Sequence, residues 1–374
     1  MFDVIVVGAG PVGSHAAGRL AEEGLQVALL EEDEEVGRDV VCTGIIGSEA
    51  FQTFSLPQEA VLSSIKSILF FSPSLHTFQY TSPETIAYVV DRSIFDKGML
   101  RYAEEKGVEV RLGALVEKTK FGQNSIEVVA KEGSLNTRAL VLATGIGYRL
   151  HKDLGLETPH IFLQGAQAEI EMRGLRETEI YLGKDIAPGS FAWAVPVSGS
   201  KARVGVLTRN KARFYLERFL EGFLKQRVEK GSKIRQKPIA YGPAARSVND
   251  RVLAVGEAAG QVKTTTGGGI FYGLICSEIA IQVLKRAFHK GDLSYRQLSE
   301  YERLWKSKLG KELRMGKLAR KILGRLTDKQ IDRIFKFVGE RPKVKELMER
   351  EFKFDYHSDL ISLGLKLLKG FIWG

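Results

Sequence analysis

Apolar positions fall in short bursts along the first third of the chain. Residues 3–7 (Asp-Val-Ile-Val-Val) make a compact run rich in β-branched side chains, as a buried strand requires. Residues 8–13 hold three glycines and predict a turn, residues 14–23 have helical spacing up to Gly24, and residues 26–31 return as a second strand. The chain thus opens with strand, helix and strand in about 30 residues, the kind of unit that sets two strands side by side and parallel.

Residues 86–90, 93–106 and 108–112 repeat that order, and a β-ribbon and the apolar strand 139–143 follow. Between 155 and 245 the pattern changes to period two. Residues 161–171, 179–182, 191–197 and 202–208 predict an antiparallel sheet, around one helix near 211–230. Residues 251–255 form another short apolar run, glycine-rich loops and a long helix from 268 to 290 come next, and everything beyond 292 reads as helix. The expected fold class is α/β, α+β overall. A Rossmann-like dinucleotide domain is assembled from 1–75, 85–150 and 250–290, an antiparallel-sheet domain for the substrate from 76–84 and 151–249, and a helical C-terminal region from 291–374.

Composition adds three constraints. At 374 residues the chain has material for about two domains and a tail, and an apolar content of 44% with 10 prolines excludes a low-complexity protein. Cys42 and Cys276 are too few for a disulfide framework, and no charged-then-apolar leader precedes the first strand, so a reducing cytoplasm is expected. The net charge of +10 is concentrated at the C-terminal end, where residues from 284 onward carry 23 Lys/Arg against 12 Asp/Glu. A basic tail suits either an anionic membrane surface or a solvated helical face.

The chemistry starts at Gly8, Gly10 and Gly13. This G-x-G-x-x-G between a strand and a helix lets the backbone approach a pyrophosphate lying on the positive end of the helix. Glu31, at the end of the second strand, has the spacing of an acid that binds an adenosine ribose hydroxyl. A nicotinamide cofactor would satisfy those features as well, and the far end of the chain decides for FAD. Gly256-Glu257-Ala258-Ala259-Gly260 is a second strand-to-helix turn, closely followed by Gly267-Gly268-Gly269-Ile270, and Gly145 gives a third close backbone approach. Turns more than 200 residues apart suit a long, extended cofactor. With no second G-x-G-x-x-G unit, the reductant is either NAD(P)H docking transiently or a ferredoxin.

The segment from Met1 to Gly37, the stretch Tyr88-Val89-Val90-Asp91-Arg92 and the Gly256 region resemble the flavoprotein fold of aromatic hydroxylases. Gly37 with Val41-Cys42-Thr43-Gly44, the triplet Gly267-Gly268-Gly269-Ile270, the run Phe191-Ala192-Trp193-Ala194-Val195-Pro196 and the tail segment Tyr301-Glu302-Arg303-Leu304-Trp305 resemble the geranylgeranyl reductase family. That resemblance implies a bound FAD and reduction of isolated carbon–carbon double bonds in the polyprenyl chains of lipids or quinones. It implies that Gly8, Gly10, Gly13 and Glu31 hold the adenosine diphosphate, that Arg92 contacts the flavin, and that Gly256 to Gly260 form the ribityl and phosphate turn. Gly268 and Gly269 would lie beside the isoalloxazine, and Phe191, Trp193 and Pro196 would line the prenyl channel. Glu257 stands where the family usually has aspartate.

An isolated alkene is unactivated, so hydride and proton must arrive together, and Cys42 is the candidate acid; a buried, inert cysteine is the bland alternative. Phe191 and Trp193 alternate on one strand and share a face, which core packing explains nearly as well as channel lining. Cys276 reads most simply as core. The six histidines show no i, i+4 pair and no Cys-x-x-Cys accompanies them, so no metal site is expected. Nucleic acid is not expected either, since the basic residues do not cluster around stacking aromatics. The apolar segment 360–373, with Lys366 and Lys369 on one side, could lie in a bilayer interface at the inner face of the membrane, over the substrate domain or in a dimer interface. Two other functions share these features: a flavin monooxygenase or halogenase, and a prenyl-lipid carrier without turnover. Trp193 and Pro196 resemble the halogenase motif Trp-x-Trp-x-Ile-Pro, but Phe191 replaces its first tryptophan.

Overall fold

The computed structural model describes residues 1–131 and 133–373, the side chains of 368–373 excepted. The side chain of Lys369, in the predicted interfacial segment, therefore lies outside the described residues. The first sheet runs in the order Val248–Asn249, Val252–Ala254, Gly133–Leu142, Phe2–Val7, Val27–Leu30 and Glu109–Arg111, with a ribbon of Val116–Phe121 and Ile126–Ala130 attached to the third strand. Four of its pairings are parallel, including Val4 against Val27 and against Ala139. Parallel strands are covered on both faces, which is why 4–7 and 139–143 read as unbroken apolar runs. On one face lie the helices Pro11–Glu22, Arg92–Glu105 and Ile270–Lys290, and on the other the ribbon with Leu150, Leu154 and Leu156.

The second sheet is antiparallel apart from one pairing. Its order is Val228–Lys230, Phe162–Met172, Lys201–Thr208, Phe191–Ser198, Thr178–Tyr181, Ser67–Phe71 and Thr77–Thr81, with Arg235–Ala240 also on Phe162–Met172. A small sheet of Ile45–Gly47, Ala87–Val90 and Val61–Ile65 joins the two bodies. Two sequence expectations are corrected here. The hairpin from 67 to 81 belongs to the second sheet as a whole, not only residues 76–84, because Ser67–Phe71 pairs in parallel with Thr178–Tyr181. The expected helix near 211–230 ends early. Ala212–Arg218 is helical, Phe219–Phe223 is a π turn, and Val228–Lys230 is a strand on Glu171 and Met172. The wider turn sends Phe219 fully into the core under the sheet.

The C-terminal region is not a separate layer. Its first helix, Tyr295–Leu323, sinks Tyr301, Trp305 and Leu309, all with no exposed surface, into the same core as the first sheet and its helices. The Tyr301 hydroxyl donates to the Ala254 carbonyl (2.8 Å) and Trp305 Nε1 to Ser247 Oγ (3.2 Å), so the helix is tied to the edge of the parallel sheet. Helices Asp328–Gly339, Pro342–Glu351 and Ser358–Trp373 follow. Among the described residues, no helix is long and apolar enough to cross a membrane.

Replacing Trp305 with alanine is expected to cost about 3–5 kcal/mol of stability, the range for a buried large aromatic, and to loosen the parallel sheet with the tail. Urea unfolding followed by circular dichroism measures the loss; an effect below 1 kcal/mol would contradict this packing.

Candidate active site

Four glycine turns gather where the parallel strands end. Gly8 follows Val7 with φ +101°, and a Cβ there would meet the Ala143 carbonyl oxygen at 2.6 Å. A Cβ at Gly13 would sit 1.8 Å from the Gly8 oxygen, so the helix can approach the strand only without a side chain there. Gly10, by contrast, faces open space, as does Gly145. The helix Pro11–Glu22 begins with no side-chain cap, with proline in its first turn and with no acid in that turn. Its leading N–H groups and positive end are thus left for an anion.

Glu31 closes this turn. Its Oε2 accepts from the Ala9 N–H (2.6 Å) and its Oε1 from the Asp33 N–H (3.1 Å). Burial pushes the carboxyl up from its ordinary range, which the two N–H donors partly oppose. A fixed, half-buried carboxylate beside an open turn is an acceptor for the vicinal hydroxyls of a ribose. The residues therefore fit a dinucleotide.

Gly256 and Gly260 stand at φ +67° and +66°, flanking the third turn. The Gly256 N–H donates to Gln261 Oε1 (2.7 Å), which is anchored in turn by Tyr301. Tyr148 donates to the Glu257 carbonyl (3.2 Å) and His151 Nε2 to the Ala258 carbonyl (2.8 Å). The Glu257 carboxylate points away from its own turn to Lys237 on the second sheet, at 3.0 Å. The extra methylene relative to aspartate gives it reach across the cleft.

The fourth turn, 263–269, is the most heavily held. Lys263 N–H donates to the Gly268 carbonyl (2.9 Å) and Gly267 N–H to the Lys263 carbonyl (2.8 Å). The Lys263 ammonium is buried against Asp355 from the C-terminal region. Thr264 donates to the Leu313 carbonyl, Thr265 Oγ1 meets His357 Nδ1 at 2.6 Å, and Arg320 donates to the Thr264 and Thr265 carbonyls and to Ser190 Oγ. Gly269 and Ile270 start a 21-residue helix without a side-chain cap. Gly267 rests on Ile239 and Leu207 of the second sheet.

The loop holding Cys42 lands on the same face of that sheet. Gln167 Nε2 donates to the Cys42 carbonyl (3.1 Å) and Thr43 Oγ1 to Gln167 Oε1 (2.8 Å), while Arg203 donates to the Thr43 and Val90 carbonyls. The Gly44 N–H points at Cys42 Sγ (3.3 Å). Arg92 pairs in two-pronged fashion with Asp96 (both 2.9 Å), and its guanidinium lies close enough to the Cys42 side chain for their charges to interact. Gln167 lies opposite Gly205, and Leu207 is two residues along that strand. The Cys42 and Gly267 loops therefore touch the sheet about 7 Å apart, with a floor of Gly165 and of the Trp193 ring lying over Gly205. Phe191 and Trp193 share this face with ring centroids 5.8 Å apart, and Trp193 Nε1 is buried without a hydrogen-bond partner among the described residues. Pro196 does not join them. It falls at a bulge with the opposite parity, and its carbonyl accepts from Ser63 Oγ. Ile45, Phe70, Ile180, Phe352 and Phe354, all partly buried, pack with Trp193 against the small core of Ile65, Ile68, Val89 and Val195. Cys276 is fully buried, its thiol pushed up by burial.

The model of the pyridine nucleotide-disulphide oxidoreductase family matches residues 2–147. A digeranylgeranylglycerophospholipid reductase of Methanocaldococcus jannaschii is 33% identical over 360 residues, 91% of either chain. The chain belongs to that reductase family. Family membership and fold together make it an FAD-dependent oxidoreductase. A geranylgeranyl bacteriochlorophyll reductase-like protein of Thermoplasma acidophilum has the same fold at 22% identity, with a TM-score of 0.85 over 97% of this chain and 99% of its own. The halogenase PltM, solved with phloroglucinol and FAD, is more distant at 13% identity and a TM-score of 0.72 over 96% of this chain and 88% of its own. The reductase reading stands over the halogenase one.

Sequence reasoning missed Gln167, Arg203, Lys237, Lys263, Arg320 and Asp355. Each acts across the interface between segments distant in sequence, so no local spacing marks it; only the lone lysine inside the 261–269 turn was a visible clue.

Two outcomes follow. Glu31→Gln removes the charge that the ribose hydroxyls would meet and is expected to weaken FAD binding about 10-fold or more, read by flavin retained after dialysis; unchanged retention would exclude the acid from the site. Burial and the Lys263 charge push His357 down to about 4 from 6.5. Between those values the unfolded chain takes up a proton that the folded chain refuses, so stability falls as pH drops through the window. Urea midpoints at pH 7 and 4.5 should differ less in His357→Gln than in the parent.

Proposed function

We propose that the chain reduces isolated carbon–carbon double bonds in the geranylgeranyl chains of a glycerophospholipid, with electrons delivered by NAD(P)H or a ferredoxin. The observation that carries this is the aromatic floor between the Cys42 and Gly267 loops, formed by Gly165 and the Trp193 ring with Phe191 beside it, which suits a hydrocarbon chain. FAD, when bound, supplies the hydride. Gly8, Gly10, Gly13 and Glu31 hold its adenosine half, and Gly145 and 256–260 the middle. Gly269 and Ile270 offer backbone N–H groups without a side-chain cap at a positive helix end, where negative charge is stabilised, and Gly268, whose N–H donates to Thr266 Oγ1 (3.5 Å), brings the turn up to it. Phe191 and Trp193 orient the alkene and keep water out. Cys42 holds the proton at Sγ, kept in place by its loop's bonds to Gln167 and Arg203. Arg92 acts through Cys42 and Asp96.

The basic C-terminal region supports contact with an anionic membrane surface, where such a substrate resides. The polar crossing contacts of Gln167, Arg203 and Lys237 support a division into nucleotide and substrate domains around this gap.

The test is anaerobic. Purified protein is reduced with dithionite, digeranylgeranylglycerophospholipid is added, and the flavin band is followed. Return of the oxidised spectrum with saturated product by mass spectrometry is expected, slowed roughly 100-fold in Cys42→Ala. Reoxidation by oxygen alone would favour an oxygenase, and absence of flavin a lipid carrier.

A further inference from the structure

The long C-terminal helix carries a guanidinium, that of Arg320, which no carboxylate among the described residues balances. Arg320 is 6% exposed, and its three assigned bonds go to two backbone carbonyls and a serine hydroxyl, leaving two of its five N–H donors unassigned. Burial and the neighbouring charge of Arg209 push it down to about 10. Arg209 follows the strand Lys201–Thr208, is exposed, and makes no ion pair or side-chain hydrogen bond among the described residues. It lies against Gly324 at the end of the same helix. That helix end offers about half an elementary negative charge, too little to offset two guanidinia. Like charges brought together at a partly dry site cost stability unless an anion joins them.

The surroundings say what kind of anion fits. The Tyr241 ring stacks on Arg320 at 5.6 Å, and its hydroxyl donates to the carbonyl of Lys317, whose own side chain is exposed one turn before Arg320. Beside these cations lie three exposed apolar side chains: Leu318 (40%), and Ile161 (46%) and Phe162 (38%), whose strand pairs with Tyr241 and Ala240. Ser190, which binds Arg320, directly precedes Phe191, so this basic spot sits at the end of the strand whose Phe191 and Trp193 face the gap. Cations edged by apolar surface match an amphiphile with an anionic head.

We propose that Arg209 and Arg320, with Lys317 at the rim, seat the phosphate of the glycerophospholipid substrate, so that its prenyl chains enter along Phe191 toward Trp193. This rests on the reductase reading for the identity of the chains, but not for the charge of the head. Arg320 also braces the 264–265 backbone, so Arg209, exposed and free of other duties, is the residue to change. Protein with bound FAD, in detergent, is titrated with digeranylgeranylglyceryl phosphate and with the same diether lacking phosphate, following tryptophan fluorescence. The parent should prefer the phosphate form about 10-fold or more, inorganic phosphate should compete, and Arg209→Gln should abolish the preference. Arg213→Gln, on the helix covering the far face, should keep it. An undiminished preference in Arg209→Gln overturns the assignment. So does an equal loss of binding to phosphatidylglycerol vesicles without geranylgeranyl chains, which would make this a membrane contact. A preference that depends on Arg209, in protein whose reduced flavin neither lipid reoxidises, would leave the seat standing and sink the reductase reading.

Discussion

A buried ammonium must have a partner, and the pairing of Lys263 with Asp355 decides how the whole molecule closes. Lys263 lies inside the glycine turn that leads into the helix Ile270–Lys290, and Asp355 comes from the far end of the chain. Removing one member of such a pair leaves a charge in low dielectric, at about 3–5 kcal/mol. The pair draws a whole neighbourhood with it. Asp355 fills the space over Gly47, Tyr272 donates to its backbone carbonyl, and Phe354 lies under the Lys263 ammonium at 5.0 Å. The same contact that neutralises the lysine thus puts Phe352 and Phe354 over the Trp193 end of the gap. Aromatic packing beside Trp193 and the geometry of the glycine turn share one cause.

The two main bodies meet through polar contacts. Gln167, Arg203 and Lys237 all point from one face of the antiparallel sheet into backbone carbonyls or a carboxylate of the nucleotide-binding side. Such contacts fix register, which an apolar interface of the same size would not. The apolar material is concentrated instead where a hydrocarbon would lie. The Glu257 side chain belongs to this economy, since it serves the interface with Lys237 while its backbone serves the turn.

What could be read from the residues was what is local. The βαβ opening, the turns at Gly8, Gly256 and Gly267, and the alternation of Phe191 and Trp193 follow from spacing alone, since backbone sterics and strand pleat act over a few residues. Pro196 was grouped with those aromatics through motif similarity, although its odd offset from Trp193 places it on the opposite face of the strand. The hairpin from 67 to 81 was invisible for a related reason, because its strands gain their place from Thr178–Tyr181, about a hundred residues later. The helix expected through 230 failed at Phe219, whose burial under the sheet outweighed helical propensity.

The burial of Tyr301 and Trp305 bears on how the chain is made. The parallel sheet is begun by residues 2–7 but takes Val252–Ala254 as a neighbour of Gly133–Leu142, and its outer core is filled only by the helix Tyr295–Leu323. During synthesis from the N-terminus the edge of Gly133–Leu142 waits unpaired while more than a hundred further residues emerge, and an unpaired edge of Ala-Leu-Val-Leu is an invitation to aggregation. The nucleotide-binding body therefore closes its sheet and core only after residues 252–254 and 295–323 have been made, and until then the edge of Gly133–Leu142 is exposed.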